Sequence, residues 1–387
     1  MYSKFGIDKA KINHIEVLEV DFKRLKKPEY GNVTVAWDNG RFQLPLIKHN
    51  DGTFSGGEVF KSILISKDRV PCPQTGMKFG RFHAGTHYLK ENGEPTNYAT
   101  MTILTSEIRR SNVVPLDVRN FKNHVKWLFE HLHKDYGIKC DYSNARIDGI
   151  ELTANIKLKE DFSKYHRCFT FLKDCADPRC YKKDLVMGIV GNPSKETFLV
   201  KNKSSTLETL FYDKGVQTDM GKRLARFEVR LKRDDTVNKY LGTNLINELT
   251  QGGVIACVRE RFDNGFYMPL IKYADKEMKK INKLITKWNK NGDNWRNNLV
   301  EYLLKMESMN APALIDVNDL CDAVKSVSTH RNFARDWKRL KNESCFKAYT
   351  DQWEKIEEIR DKIVNDKYLL EAYSYSAPDG IAYSSAG

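Results

Sequence analysis

Three short segments carry side chains that could act together. Ala145-Arg146-Ile147-Asp148-Gly149-Ile150-Glu151 and Ala225-Arg226-Phe227-Glu228-Val229-Arg230-Leu231-Lys232 read as apolar strands, each holding an acid where an aliphatic side chain is expected. Between them, Leu210-Phe211-Tyr212-Asp213-Lys214-Gly215 presents a tyrosine with a lysine two residues on. Carboxylates on adjacent strands can hold a hard divalent cation through oxygen. A phenol beside such an ion is a nucleophile aimed at phosphate. A free phenol titrates near pH 10 and attacks poorly at neutral pH, so it needs a base, a neighbouring cation or a metal that withdraws charge from the phosphate. Lys214, two residues on and hence on the same strand face as Tyr212, is placed to supply the cation.

Strand periodicity sorts these residues by face. Asp148 falls with Ile150 and Leu152, where a carboxylate must pair or bind metal; Glu151 projects the other way and is the weaker candidate. In the later strand Leu224, Arg226, Glu228 and Arg230 share a face, opposite Ala225, Phe227, Val229 and Leu231, so Glu228 is ringed by basic side chains. Spacing alone leaves an alternative open for both acids, an internal salt-bridge ladder such as Asp148 with Arg226. With 18 tyrosines in the chain, a Tyr212 packed on the core beside a surface Lys214 is likewise open.

The order and spacing of Ala-Arg-Ile-Asp, Leu-Phe-Tyr-Asp-Lys-Gly and Ala-Arg-Phe-Glu-Val-Arg-Leu-Lys resemble the rolling-circle replication initiators of filamentous phages and related plasmids, over roughly residues 95–245. The resemblance implies a site-specific nickase and strand transferase related to the HUH endonucleases. Tyr212 matches the nucleophile with Lys214 beside it, Asp148 and Glu228 the acidic positions that would hold Mg²⁺ or Mn²⁺, and Arg226 and Arg230 the basic, DNA-binding positions of the last motif. It implies origin DNA, duplex and single-stranded, as partner, with a host helicase and polymerase, and a homodimer as one assembly. Tyr240, after the last motif, is a second tyrosine placed to assist termination. Within the same chemistry a mobilisation relaxase is the alternative; outside it, a DNA-binding regulator without catalysis. One departure stands out. HUH enzymes bind metal with two histidines on a strand, whereas His131-Leu132-His133 falls inside an amphipathic helix, where residues two apart point apart, and His83 and His87 flank a Gly-containing loop.

The 387 residues carry 64 Lys and Arg against 51 Asp and Glu, a formal charge of +13 that favours polyanionic partners, above all nucleic acid. The start has no apolar signal core and no stretch approaches a membrane span, so a cytoplasmic protein with no membrane partner is expected. Eight scattered cysteines read as reduced thiols. His166, Cys168, Cys175 and Cys180 offer four zinc donors, but without a short Cys-x-x-Cys knuckle they read as free thiols near a turn. No phosphate-cradling Gly-x-x-x-x-Gly-Lys loop is present, so no intrinsic helicase activity is expected.

The elements that must position the motifs follow from hydrophobic period. Ile12–Val20, Val33–Trp37, Arg41–Leu46 and Tyr98–Thr105 read as strands, with turns at Asp38-Asn39-Gly40, Asn50-Asp51-Gly52 and Glu91-Asn92-Gly93. Residues 117–136 read as a helix capped by Asp117, ended by Gly137 and striped by Phe121, Val125, Leu128 and Leu132. Ala145–Ile156 is a strand, 158–173 a charged helix-like segment, and 185–191, 197–202, 206–213 and 223–233 are strands. This is an α+β pattern with an antiparallel sheet. From about 255 the period turns helical: Met278, Ile281, Ile285 and Trp288 share a face, as do Trp295, Leu299, Tyr302 and Met306, and later Ile356, Ile359 and Ile363. The expected division is 1–250 for nicking and strand transfer, 251–372 for a helical DNA-binding or accessory domain, and 373–387 for a flexible tail. Val317–Val324, a Ser-Val-Ser-Thr turn and Asn332–Lys341 read as a helix-turn-helix or an ordinary helical hairpin, with Arg331, Arg335, Lys338 and Arg339 opposite Phe333, Trp337 and Leu340. Arg109-Arg110 and Lys222-Arg223 could guide phosphates.

Overall fold

The computed structural model describes residues 4–21, 24, 34–38, 47–48, 54–55, 62–66, 72–73, 81–88, 95–104, 115–176, 181–183, 197–218, 221–308 and 315–365. Expectations for the turns after Asp38, for Arg41–Leu46, Arg109-Arg110, Cys180, 185–191 and the tail fall outside these residues. The strands are Phe5–Val20 (β1), Thr34–Asp38 (β2), Ile47–Lys48 (β3), Phe54–Ser55 (β4), Ser62–Ser66 (β5), Arg81–Tyr88 (β6), Pro95–Leu104 (β7), Ile138–Asp141 (β8), Arg146–Lys157 (β9), Tyr181–Lys183 (β10), Thr197–Asn202 (β11), Leu207–Asp213 (β12) and Leu224–Leu231 (β13). Eleven form one sheet in the order β10-β11-β12-β13-β9-β1-β7-β6-β5-β2, with β8 beside β1, and β3 and β4 form a separate ribbon. Every pairing is antiparallel. The three motifs thus lie on β12, β13 and β9, consecutive in space.

One face of this sheet is apolar. The Phe211 and Phe227 rings lie 4.7 Å apart between centroids, tilted by 32°, and Phe169 lies 5.0 Å from Phe211. Helices His166–Cys175 (α2) and Gln251–Phe262 (α5) and the π-turn Asp263–Tyr267 cover them, with Phe262 and Phe266 meeting both rings edge-on. The helix Val118–Tyr136 (α1) packs its predicted stripe into the same core. It starts and stops as read: Asp117 accepts the Asn120 N–H at 2.7 Å, and Gly137, at φ 67°, turns the chain while donating to the His133 carbonyl at 3.1 Å.

The remaining helices are Lys214–Thr218 (α3), Asp234–Leu241 (α4), Met268–Lys290 (α6), Trp295–Ser308 (α7), Val317–Val327 (α8), His330–Asn342 (α9) and Ser344–Val364 (α10). Of these, α6 to α10 build a second core from Met278, Ile281, Ile285, Leu299, Leu303, Leu320, Val324 and Phe346. No single cut separates the two cores. Residues of α5 and the start of α6, such as Val258 and Leu270, belong to the sheet core, and α10 returns to it through Ile356, Ile359 and Ile363 after starting in the second core at Cys345 and Tyr349. A buried latch fixes that return: Glu358 accepts the Tyr165 hydroxyl at 2.6 Å and the Lys159 N–H at 2.8 Å. No helix among the described residues is long and apolar enough to cross a membrane.

Candidate active site

The opposite face of β12, β13, β9 and β1 is polar yet largely buried. Register places Tyr212 beside Arg226 and Leu210 beside Glu228 on the β12–β13 pair, and Arg226 beside Asn155, Glu228 beside Thr153 and Arg230 beside Glu151 on the β13–β9 pair. Directly paired residues point to the same side. Three rows of chemistry-bearing side chains therefore face one another, the direct consequence of the alternation read for β13.

Glu228, 1% exposed, is the hub. It accepts the Tyr212 phenol proton at 2.8 Å on one oxygen and the Arg230 guanidinium on the other. Arg230 reaches Glu151 and Glu208, each at 3.8 Å. Arg226, fully buried, donates to Asn155 Oδ1 at 2.8 Å and Asp8 Oδ1 at 2.9 Å. Lys214, 1% exposed, holds its ammonium 5.8 Å from the centre of the Tyr212 ring. Tyr212 and Lys214 are the predicted neighbours, but by a different route: β12 ends at Asp213 and Lys214 opens α3, so no common strand face joins them. The chain can turn there because residue 215 is glycine; a Cβ would lie 1.7 Å from the Gly221 carbonyl oxygen.

Burial sets the protonation of this site. It pushes the Tyr212 phenol well above its usual range, against the pull of the Arg226 charge, so the resting residue is a neutral hydrogen-bond donor. Burial, with Arg226 nearby, pulls Lys214 down to about 7. Burial and then the Glu228 charge raise Glu151. Asp213, raised to about 6 by burial, accepts the Val216 N–H at 2.9 Å and ties the α3 turn.

One oxygen from each of Asp8, Glu151 and Glu228 lies within 4.8 Å of the other two. Thr153 Oγ1, fully buried on the same face between these acids, has no hydrogen-bond partner among the described residues. An all-oxygen set of three crowded carboxylates with an adjacent unsatisfied hydroxyl suits a hard cation such as Mg²⁺ or Mn²⁺.

Asp148 is not part of this set, which corrects the expectation from strict alternation. The β1–β9 register runs Lys11 with Gly149, then Ile12 with Ile147, leaving Asp148 as an extra residue on β9. This bulge resets the alternation: Ile147, Ile150, Leu152, Ala154 and Ile156 line the core, and Glu151, not Asp148, joins the polar face with Thr153 and Asn155. Asp148 pairs instead with Lys11. A second register shift between Ile7 and Lys9 leaves Asp8 extra on β1. Alternation carried back from Ile12 sets Asp8 with Ala10 on the core side, so its place in the cluster depends on the register shift and not on the strand pattern.

The other candidates fall elsewhere. Arg331, Arg335, Lys338 and Arg339 are exposed on α9, whose Leu340 sits in the second core. The buried Asp336 on that helix is held by Arg296 and by Ser328 Oγ at 3.3 Å. His131 is buried, stacked on Trp127 and paired with Asp135, while His133 is exposed, so the two diverge as expected for a helix. His83 and His87 lie within β6 rather than beside a loop. Cys168 is buried and Cys175 half-buried, and the His166 ring packs edge-on against Phe198. Tyr240 lies under the Arg261 guanidinium at 4.3 Å.

No protein-family model and no curated protein matches the chain. Among solved structures, a rolling circle replication initiator protein from Geobacillus stearothermophilus is similar over 61% of this chain and 76% of its own, at 14% identity and a TM-score of 0.28. A likeness that remote carries no argument about the site.

Proposed function

We propose that this chain nicks and rejoins DNA through Tyr212 and thereby initiates rolling-circle replication. The observation that carries the reading is the 2.8 Å hydrogen bond from Tyr212 Oη to Glu228, inside a buried cluster of Asp8, Glu151, Arg226, Arg230 and Lys214. Glu228 is positioned to take the phenol proton. Arg226 and Lys214 oppose the negative charge that appears on Tyr212 and on the phosphate. The phenolate oxygen bonds to the scissile phosphorus as the P–O3′ bond breaks; the 3′ oxygen leaves with a proton as a free hydroxyl that primes synthesis. The 5′-phosphotyrosine conserves the bond, so attack by a later 3′-OH closes the strand without ATP. Asp8, Glu151 and Glu228 would hold a divalent cation, which supplies charge withdrawal from the phosphate when bound. The exposed basic face of α9 supplies duplex contacts for origin recognition.

Covalent trapping tests this reading. Labelled single-stranded origin DNA with Mn²⁺ gives a labelled protein band on a denaturing gel, and Tyr212→Phe abolishes it. A band that persists in the variant moves the nucleophile to another tyrosine. No band with any origin fragment, while binding is intact, assigns the chain to the non-catalytic regulators.

A further inference from the structure

From Lys272 onward, one arc of the exposed face of α6 carries only lysines, with Asp275 at its edge. At about 100° per residue, Lys272, Lys276, Lys279, Lys283, Lys287 and Lys290 fall within an arc of roughly 80°. All six are exposed. The opposite side buries Leu270 and Ala274 in the sheet core and Met278, Ile281 and Ile285 in the second core. Both cores thus grip the helix and hold the lysine row straight over about 27 Å, at 1.5 Å per residue. Among the described residues none of the six has a carboxylate within 4.0 Å; their neighbour Lys280 is the exception, 3.6 Å from Glu277. A shallow groove along the helix is lined by Lys272, Lys276, Lys279, Lys280 and Lys283 against one acid, Asp275.

We infer that this lysine row is a docking track for the phosphate backbone of duplex DNA, separate from both the Tyr212 cluster and the α9 basic face. The inference rests on the reading that the substrate is DNA. Point charges without a fork or pocket recognise phosphate but not sequence, and a rigid row about 27 Å long matches a duplex flank of about eight base pairs rather than a small anion. Single-strand tracks interleave aromatic platforms with their cations, but the aromatic residues of α6, Tyr273 and Trp288, are half-buried off this row. A membrane-surface helix exposes an apolar face beside its lysines, and here that face is consumed by the two cores. The helices α5 and α6 lie on the apolar side of the sheet, away from Tyr212, so the row holds flanking duplex rather than the scissile strand.

The test compares the full chain with Lys276→Gln/Lys279→Gln/Lys283→Gln in fluorescence anisotropy on a random-sequence duplex long enough to span the helix, across a salt series. Three lost phosphate contacts make the slope of log affinity against log salt shallower by about 2 to 3. Lys→Arg at the same positions keeps the slope, and circular dichroism checks that both variants fold. Adduct formation on a short single-stranded oligonucleotide stays at the wild-type level in both. An unchanged slope, or no duplex binding by the wild type, overturns the inference in favour of a solvated face. Loss of binding to phosphatidylserine vesicles with duplex binding unchanged overturns it in favour of a membrane surface. If no adduct forms on any single strand but the slope still falls, the nickase reading fails and the duplex track stands.

Discussion

On β12 and β13, neighbouring residues serve opposite environments. Phe211 and Phe227 turn into a dry cluster with Phe169, Phe262 and Phe266. Tyr212 and Glu228, one residue further on, turn into a buried set of ions and hydrogen bonds. The aromatic face has no preferred partner beyond shape and area. The ionic face is desolvated too, and each charge there depends on a named counterpart, since a buried ion without one is costly. The aromatic side therefore stabilises the fold and holds the backbone, while the polar side carries a costly cluster whose members stay paired only while the strands stay in register.

The largest effect separates the two faces directly. Phe227→Ala removes a fully buried ring from contacts with Phe211, Phe262 and Phe266 and should cost about 3–5 kcal/mol, seen as a large drop in Tm. Tyr212→Phe keeps the ring and deletes one hydroxyl, so Tm moves by only a few degrees at most, while covalent adduct vanishes. If Tyr212→Phe instead lowered Tm as far as Phe227→Ala, the phenol would be a structural strut and the contrast between the faces would collapse.

The next effect probes the dependence of ion on ion. Asp8→Asn leaves the Arg226 guanidinium, fully buried, with Asn155 and an amide in place of a carboxylate. Breaking a buried pair from one side costs about 3–5 kcal/mol in the strongest cases, and this pair, 13% exposed at Asp8, should fall at or below the lower end. Asp8→Asn/Arg226→Met should recover much of the loss. Urea unfolding of the two singles and the double measures the coupling; strict additivity would show that the two side chains do not depend on each other.

A smaller, pH-dependent effect belongs to the polar face alone. Lys214 titrates near 7 in the folded chain against about 10.5 when exposed. Between those values the unfolded chain binds a proton that the folded chain does not, so stability rises with pH across roughly 7 to 10.5. Lys214→Met removes that slope and should raise Tm most at pH 7 and below, where the wild type carries a buried charge. Thermal melts of both proteins across this range check it; parallel curves would mean that Lys214 stays hydrated.

Much of this was legible in the residues. The Asp117 cap, the Gly137 stop, the faces of β13 and the antiparallel α+β class follow from local rules that the tertiary structure did not override. That Tyr212 and Glu228 come to one face follows from unbroken alternation along β12 and β13 once the two strands pair. What could not be read depends on pairing. In Arg146–Glu151 the one local sign of the phase shift between Ile147 and Ile150 is Gly149, a glycine inside a strand, and it does not say which neighbour changes face. Asp8 belongs to the cluster only because β1, more than 130 residues earlier in the chain, lies against β9. The sharing of α6 and α10 between two cores is invisible for the same reason, since their apolar periodicity is uniform along each helix.

The smallest expected effect sharpens the comparison most, because it sets two acids three residues apart on one strand against each other. Asp148 meets Lys11 at the surface, with side chains 24% and 53% exposed. An ion pair so placed contributes little, so Asp148→Asn should change stability by less than about 0.5 kcal/mol and leave adduct formation at saturating Mn²⁺ unchanged. Glu151→Gln deletes one of the three clustered carboxylates and should raise the half-saturating Mn²⁺ concentration roughly 10- to 100-fold, with little loss of stability, because burial and the Glu228 charge already disfavour the ionised form. Mn²⁺ titrations of adduct yield on both variants decide between the acids. If Asp148→Asn carried the metal dependence instead, the bulge would have to fall elsewhere on β9, and strict alternation, which sets Asp148 rather than Glu151 toward the site, would be restored.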